Sequence, residues 1–415
     1  MKILAISNLY PPNAVGGYER LCCEVMSELA ERGHDVAVLT SDYGTMQQAF
    51  ANQRVLKRLR LLATDNNIYA PFEALPERRA AINAHNIEQL RRTLAEEQPD
   101  LIFVWNLYFL DNSLSSALPT TIPRVYLLTD NWLISMRRPQ FLAEYFAHEV
   151  FRQIVGWRRF RAALEALLPW PSADLREEAS AIFPSRFMEQ LYRRAGFRFR
   201  DSAIVYHGIQ PDSQGAGDHG QAQAADDHSL RLLFAGRVVE IKGVHTAVEA
   251  MPHILSALPG HDVRLTLVGD DQDQPYIERL RQRIEQLGLE DRVHFSPVVA
   301  ESDLPALFAR HHIYLFPSLY EPFSLTLIHA LRNGIPVVAS RAGGTPEIVL
   351  EDKTGLLFEP ADAQGLARQV VRLARDPQLT RTLSDQGRRK GEEYTFARMI
   401  DQVEAHLERR LQGDA

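Results

Sequence analysis

Two cations five residues apart sit in a glycine-flanked loop, Gly236-Arg237-Val238-Val239-Glu240-Ile241-Lys242-Gly243, directly after the apolar run Leu230–Ala235. Cations at a strand end suit a diphosphate. Arginine can chelate two oxygens with its planar fork, and lysine adds a point charge. A second segment runs from Pro317 to Ala330. It places the carboxylate of Glu321 in a loop between an apolar run ending at Phe316 and a helix starting near Ser324. The free N–H groups around Ser324, Leu325 and Thr326 offer an anion site at that helix start. Glu321 beside them can accept hydrogen bonds from a polyol. His329 lies about one turn further on. Gly16-Gly17 precede an amphipathic helix, where a backbone without side chains lets a ligand approach the N–H groups. Ser340 to Glu347, with Gly343-Gly344 inside it, reads as a turn leading into a helix. Gly16-Gly17 alone reads equally well as a plain tight turn, the Arg237–Lys242 loop reads first as a diphosphate site and second as a solvated charge pair, and Ser340 to Glu347 alone reads first as a structural turn.

The elements that must position them follow a regular rhythm. Residues 2–7 read as a buried strand. The stripe Tyr18, Leu21, Cys22, Val25, Met26 and Leu29 has helical spacing and stops at Gly33. Asp35 to Thr40 reads as the next strand, so the chain opens with the unit of parallel sheets crossed by helices. Strands at Leu101–Trp105, Arg124–Leu128, Ala181–Pro184 and Ala203–Tyr206 continue it, with Ser185 capping a helix. Residues 137–168 read as mostly helical. Residues 209–229 are polar and rich in glycine, which marks a linker. A second series follows, with strands at Leu230–Ala235, Arg264–Val268, Val293–Phe295, Ile313–Phe316, Pro336–Ala339 and Gly355–Phe358. Two doubly wound α/β sheets are the simplest architecture, and ligands in such sheets sit at the carboxyl ends of the strands.

A chain of 415 residues is long enough for two cores. A net charge of −7 excludes a general nucleic-acid binder, because no basic excess exists to neutralise phosphates. The only cysteines, Cys22 and Cys23, are adjacent and cannot form a disulfide framework, so a reducing cytoplasm is the expected location. No run reaches the ~18 apolar residues of a spanning helix. Gly215 to Gly220 matches G-x-G-x-x-G but lacks the strand before it and the apolar helix after it, so it is no dinucleotide fingerprint.

In combination and in this order, the segments resemble glycosyltransferase family 4, the retaining family with the GT-B fold of two facing Rossmann-like domains and a cleft between them. Pro11 to Arg20 is similar to its opening loop, Ala181 to Ile209 to its last N-domain strand pair, and Phe234 to Gly243 to its Gly-Arg…Lys-Gly loop. Pro317 to Val338, Gly343 to Ile348 and Thr354 to Pro360 resemble its donor-site core. The resemblance implies an acceptor-side domain over 1–208 with a helical insertion at about 132–175, a linker at 209–229, and a donor domain over 230–390. A final helix in 391–415 would return to the first domain. Arg237, Lys242 and Glu321 would be the catalytic set, the cations stabilising the leaving diphosphate and Glu321 binding sugar hydroxyls. Gly16, Gly17, Val298, Ser324, Leu325, Thr326 and His329 would line the donor site, with the base near Pro297 and Val298. Asp130 and Trp132 would face the acceptor. The resemblance implies no cofactor and no metal, with a nucleotide diphosphate-sugar as co-substrate and a sugar, glycolipid or small molecule as acceptor.

Two departures stand out. The family's Glu-x(7)-Glu pattern ends here in His329, where the second carboxylate usually binds ribose. Thr129 occupies the place of the usual histidine before Asp130. The same fold also hosts sugar phosphorylases and couplings to activated cyclitols, and a nucleotide-sugar-binding regulator is a third possibility. Residues 132–170 concentrate Trp132, Arg137, Arg138, Phe141, Tyr145, Phe146, Phe151, Arg152, Trp157 to Arg161 and Trp170. They fit either a flap packed on its own domain or a peripheral contact with an anionic membrane.

Overall fold

A computed structural model describes residues 1–13, 17–44, 48–62, 76–151, 174–210, 228–270 and 272–413. These fall into two compact units. The first comprises the described residues within Met1–His148, Ile154–Val205 and Met399–Ala415; the second, those within Glu149–Gln153 and Tyr206–Arg398.

In chain order the first unit contains β1 (Lys2–Ile6), α1 (Gly17–Glu31), β2 (Asp35–Ser41), β3 (Arg54–Leu59), α2 (Pro76–Glu97), β4 (Leu101–Val104), α3 (Asn112–Ser116) and β5 (Arg124–Leu127). It continues with α4 (Trp132–Arg137), α5 (Pro139–Tyr145), β6 (Leu175–Glu177), β7 (Ser180–Phe183), α6 (Arg186–Arg194), β8 (Phe197–Phe199) and β9 (Ser202–Ile204). The main sheet runs β3-β2-β1-β4-β5-β7-β9, and β6 pairs with β8 apart from it. Every neighbouring pair is parallel. Helical crossovers cover both faces of such a sheet. Accordingly β4 and β5 are buried at every residue.

The second unit contains β10 (Ser229–Ala235), α7 (Val244–Ala257), β11 (Asp262–Val268), α8 (Gln274–Gln286), β12 (Val293–Ser296), α9 (Leu304–Ala309), β13 (Ile313–Phe316) and α10 (Leu325–Arg332). Then follow β14 (Val337–Ser340), α11 (Thr345–Ile348), β15 (Leu356–Phe358), α12 (Ala363–Arg375) and α13 (Pro377–Glu392). Its sheet order is β12-β11-β10-β13-β14-β15, again parallel throughout. Leu232, Phe234, Val248, Met251, Leu265, Leu267 and Val370 build one side of the core, and Leu233, Tyr314, Phe316, Leu327 and Val337 the other.

The last helix, α14 (Phe396–Gln412), belongs to the first unit from Met399 onward. Arg32 holds it through Asp401 at 2.8 Å and Glu404 at 2.6 Å, and His34 adds Glu404 at 2.7 Å. Ile209, at the start of the expected linker, is buried and bridged to Thr395. Residues 211–227 lie outside the described residues, and with them the Gly215–Gly220 segment.

Six elements escape the sequence pattern, β3 and the five-residue α3 among them. The buried face of α2 is Ile82, Asn86, Leu90 and Thr93, so half of its stripe is polar. α13 buries Leu383, Gly387 and Gly391, and glycine reads as a breaker. Here the two glycines admit close helix packing: a Cβ at Gly391 would press on the Arg332 backbone, and one at Gly387 on Leu331. The mini-sheet β6–β8 has only three residues per strand, too few for a period to show.

Candidate functional site

A doubly wound sheet opens a crevice where strand order reverses. In the second unit that point lies between β10 and β13. Tyr314 on β13 ties the two strands there, its hydroxyl donating to the Ala235 carbonyl at 3.0 Å. The loop after β10 carries Arg237 and Lys242, and the loop after β13 carries Glu321. The fold therefore brings both expected loops to one place.

Lys242 and Glu321 meet directly. Lys242 Nζ lies 2.6 Å from Glu321 Oε2, and the carboxylate side chain is 5% exposed. Burial makes the pair strong only because each charge answers the other. Backbone geometry fixes both partners. Gly243 has φ +65°, and a Cβ there would run into the Pro317 carbonyl, so the two loops approach as closely as backbone allows. Leu319 N–H then donates to the Ile241 carbonyl at 2.8 Å. On the other side, Gly343 has φ +56° and leaves no room for a Cβ against the Glu321 carbonyl. Gly344 N–H donates to that same carbonyl at 2.8 Å. The turn of the fourth sequence segment is thus the seat of Glu321.

Ser324 caps α10, accepting from Leu327 N–H at 3.3 Å. That leaves the N–H groups of Leu325 and Thr326 at the open end of the helix, next to Glu321 in sequence. Arg237 is exposed at the mouth of its loop. Val298 is 64% exposed beyond the end of β12.

His329 differs from the expectation. Its ring is buried, and Nε2 lies 3.0 Å from Glu301 Oε1. That nitrogen is engaged with a carboxylate instead of turning freely toward a ligand hydroxyl. Glu301 itself is 66% exposed. No sequence signal marked Glu301, because its turn is three residues long and 28 residues separate it from His329.

In the first unit, strand order reverses between β1 and β4. Gly17 is the first residue of α1 and is exposed, with nothing within 4 Å of where a Cβ would stand. Gly16 lies outside the described residues. The next residue, Tyr18, donates to the Leu127 carbonyl at 2.6 Å and contacts the Trp105 carbonyl, at the ends of β5 and β4. Asp130 follows β5, and its Oδ1 accepts from Trp132 N–H at 2.8 Å. The Trp132 ring is 1% exposed and packs on Tyr126. Of the aromatic insertion, Phe141 and Tyr145 are also buried and stack on each other. Residues 152–170 of the insertion lie outside the described residues. Among the described residues no helix is long and apolar enough to cross a membrane.

Two doubly wound parallel units, one following the other in the chain, are the build of the GT-B fold. Two family models together tile most of the chain: that of "Glycosyltransferase Family 4" matches residues 15–213, and that of "Glycosyl transferases group 1" matches residues 218–390. The chain belongs to this glycosyltransferase family. It is 25% identical over 388 residues to an uncharacterized glycosyltransferase of Methanocaldococcus jannaschii, covering 91% of this chain and 90% of that one. Its fold is similar to sucrose-phosphate synthase from Thermosynechococcus elongatus, with TM-score 0.69 at 21% identity over 100% of this chain and 99% of the other. It is also similar to Anabaena HepE solved with UDP-glucose, with TM-score 0.64 at 22% identity over 98% and 99% of the two chains.

Proposed function

We propose that this glycosyltransferase takes its sugar from a nucleotide diphosphate-sugar and passes it to an acceptor hydroxyl with retention of configuration. The observation that carries the reading is the Lys242–Glu321 pair, set at a topological switch point beside the N-terminus of α10. The solved complex of HepE with UDP-glucose, on the same fold, supports this class of donor.

In this reading Lys242, Arg237 and the N–H groups of Leu325 and Thr326 receive the diphosphate and stabilise its charge as the bond to the sugar breaks. These groups supply the positive charge without a metal ion. Glu321, already desolvated, turns its carboxylate to sugar hydroxyls. The departing phosphate oxygen takes the proton of the acceptor hydroxyl as the new bond forms on the same face, so no side-chain base is needed. Glu301, with one oxygen held by His329, supplies the carboxylate that accepts the ribose hydroxyls. Asp130, held by the Trp132 N–H, belongs to the acceptor side, whereas the buried Trp132 ring serves as packing.

Thermal stabilisation by UDP, GDP, ADP and dTDP identifies the base. Release of that nucleotide diphosphate from its sugar conjugates then reports turnover. If none of the four raises Tm, the donor assignment is wrong.

A further inference from the structure

We propose that the first unit carries a phosphate-binding site at the N-terminal edge of its sheet, formed by Arg124, Arg200 and Arg410, separate from the transfer site.

Arg124 is the first residue of β5 and is 6% exposed. Among the described residues its guanidinium has no hydrogen-bond or ion-pair partner, and its Nε is fully shielded from solvent. A guanidinium cannot shed its proton to escape burial. Left unpaired in a protein interior, such a charge is heavily penalised unless an anion meets it.

Other cations converge on it. Arg410 lies near the end of α14, its Nη2 donating to the Glu178 carbonyl at 3.3 Å and its Nε buried without a partner. Burial and the charges of Arg200 and Arg124 lower the pKa of Arg410, while Asp201 and Glu178 oppose them. His406, one turn back on α14, is 2% exposed with Nε2 3.7 Å from Asp201 Oδ2. Burial lowers its pKa, so the ring is neutral and adds no compensating charge of either sign. Asp201 also accepts from the Ser180 hydroxyl. Three guanidiniums thus face two carboxylates, and one of those is shared with a serine and a histidine.

A cavity of about 570 Å³, lined by Asp174, Arg176, Glu177, Glu178, Arg198, Phe199 and Arg200, shares Arg200 with this cluster, while Arg124 and Arg410 stand behind its wall. Glu177 pairs with Arg137 and Asp174 with Arg176, so two lining carboxylates are already neutralised. Among the described residues Arg198 donates to the Arg193 and Phe197 carbonyls and to no carboxylate. The volume lies within the range of small-ligand pockets. Guanidinium forks match phosphate oxygens in pairs, and a phosphate would offset the surplus charge. Arg124, Ser180 and Asp201 all stand at or just before the starts of their strands. The carboxyl ends, where the unit's own crevice lies, are a strand length of about 13 Å away.

The test uses the full chain with Lys242→Met and Arg237→Gln together, which removes both side-chain cations from the donor diphosphate site. Thermal melts are compared in sodium phosphate and in sodium chloride at equal ionic strength. A Tm rise of about 2–4 °C specific to phosphate is expected, and it should be lost in Arg200→Gln and Arg410→Gln, whose side chains reach solvent. Arg124→Met should melt no lower than its parent in chloride and show no phosphate response. Equal melts in the two salts, or an undiminished response in Arg200→Gln and Arg410→Gln together, would overturn the site. Vesicles of phosphatidylcholine with and without phosphatidic acid identify the source. Sedimentation with phosphatidic acid that free phosphate reverses points to a headgroup, and a phosphate response without sedimentation points to a soluble phosphate compound.

Discussion

Lys242 Nζ and Glu321 Oε2 lie 2.6 Å apart although 79 residues separate them in the chain. The contact joins the loops after two neighbouring strands at the point where the second sheet reverses its strand order. It holds the two groups that the donor reading needs in one desolvated spot before any ligand arrives. Preorganised charge of this kind is where transferases gain most of their rate.

Breaking this pair should therefore cost both stability and turnover. Lys242→Met leaves the Glu321 carboxylate buried and alone, a loss of about 3 kcal/mol. Glu321→Gln keeps the shape and removes the charge, so it should destabilise less. In both variants, release of nucleotide diphosphate should fall by about 10²–10³-fold. Urea unfolding and a coupled release assay read the two effects separately. Wild-type turnover in either variant would remove the pair from the mechanism.

The Glu301–His329 contact makes a second prediction. Glu301→Gln should weaken nucleotide diphosphate binding by about tenfold, the value of one charge-assisted hydrogen bond of ~1.4 kcal/mol. His329→Glu sets a second carboxylate against the first and should also weaken binding at neutral pH. Combining His329→Glu with Glu301→Ala should recover most of the affinity. Calorimetric titration with the nucleotide decides it, and unchanged affinity in Glu301→Gln would dismiss Glu301 as a ligand contact.

Gly343→Ala tests how Glu321 is seated. The new Cβ would meet the Glu321 carbonyl in a backbone conformation that disfavours side chains. A loss of about 2 kcal/mol is expected, with a drop in turnover larger than a melt alone explains. A variant with native stability and full activity would show that the turn can move without disturbing the site.

His207 gives a pH dependence. It is 6% exposed, with its ring edge-on to Phe323, and burial lowers its pKa to about 4. The unfolded chain binds a proton near pH 6.5 and the folded one near pH 4, so the unfolded state holds more protons between those values. The stabilisation is complete above pH 6.5 and is lost as pH falls toward 4, up to about 3 kcal/mol. Urea midpoints at pH 7 and pH 5 should differ more in the wild type than in His207→Asn. Parallel pH slopes in the two proteins would place the effect elsewhere.

The sequence by itself determined the parallel α/β class, most strand positions and the loops that carry Arg237, Lys242 and Glu321. It could do so because buried parallel strands are continuous apolar runs, and because glycine and charge at a strand end are local signals. It missed α2 and α13, whose buried faces use Asn86, Thr93, Gly387 and Gly391 in place of apolar residues. Only the tertiary structure decided which charges meet. Lys242 chose Glu321, His329 turned to Glu301, and Arg124 was buried with no hydrogen-bond or ion-pair partner among the described residues. Such pairings join distant segments across strand order and helix packing, and electrostatic partnership leaves no period in a sequence.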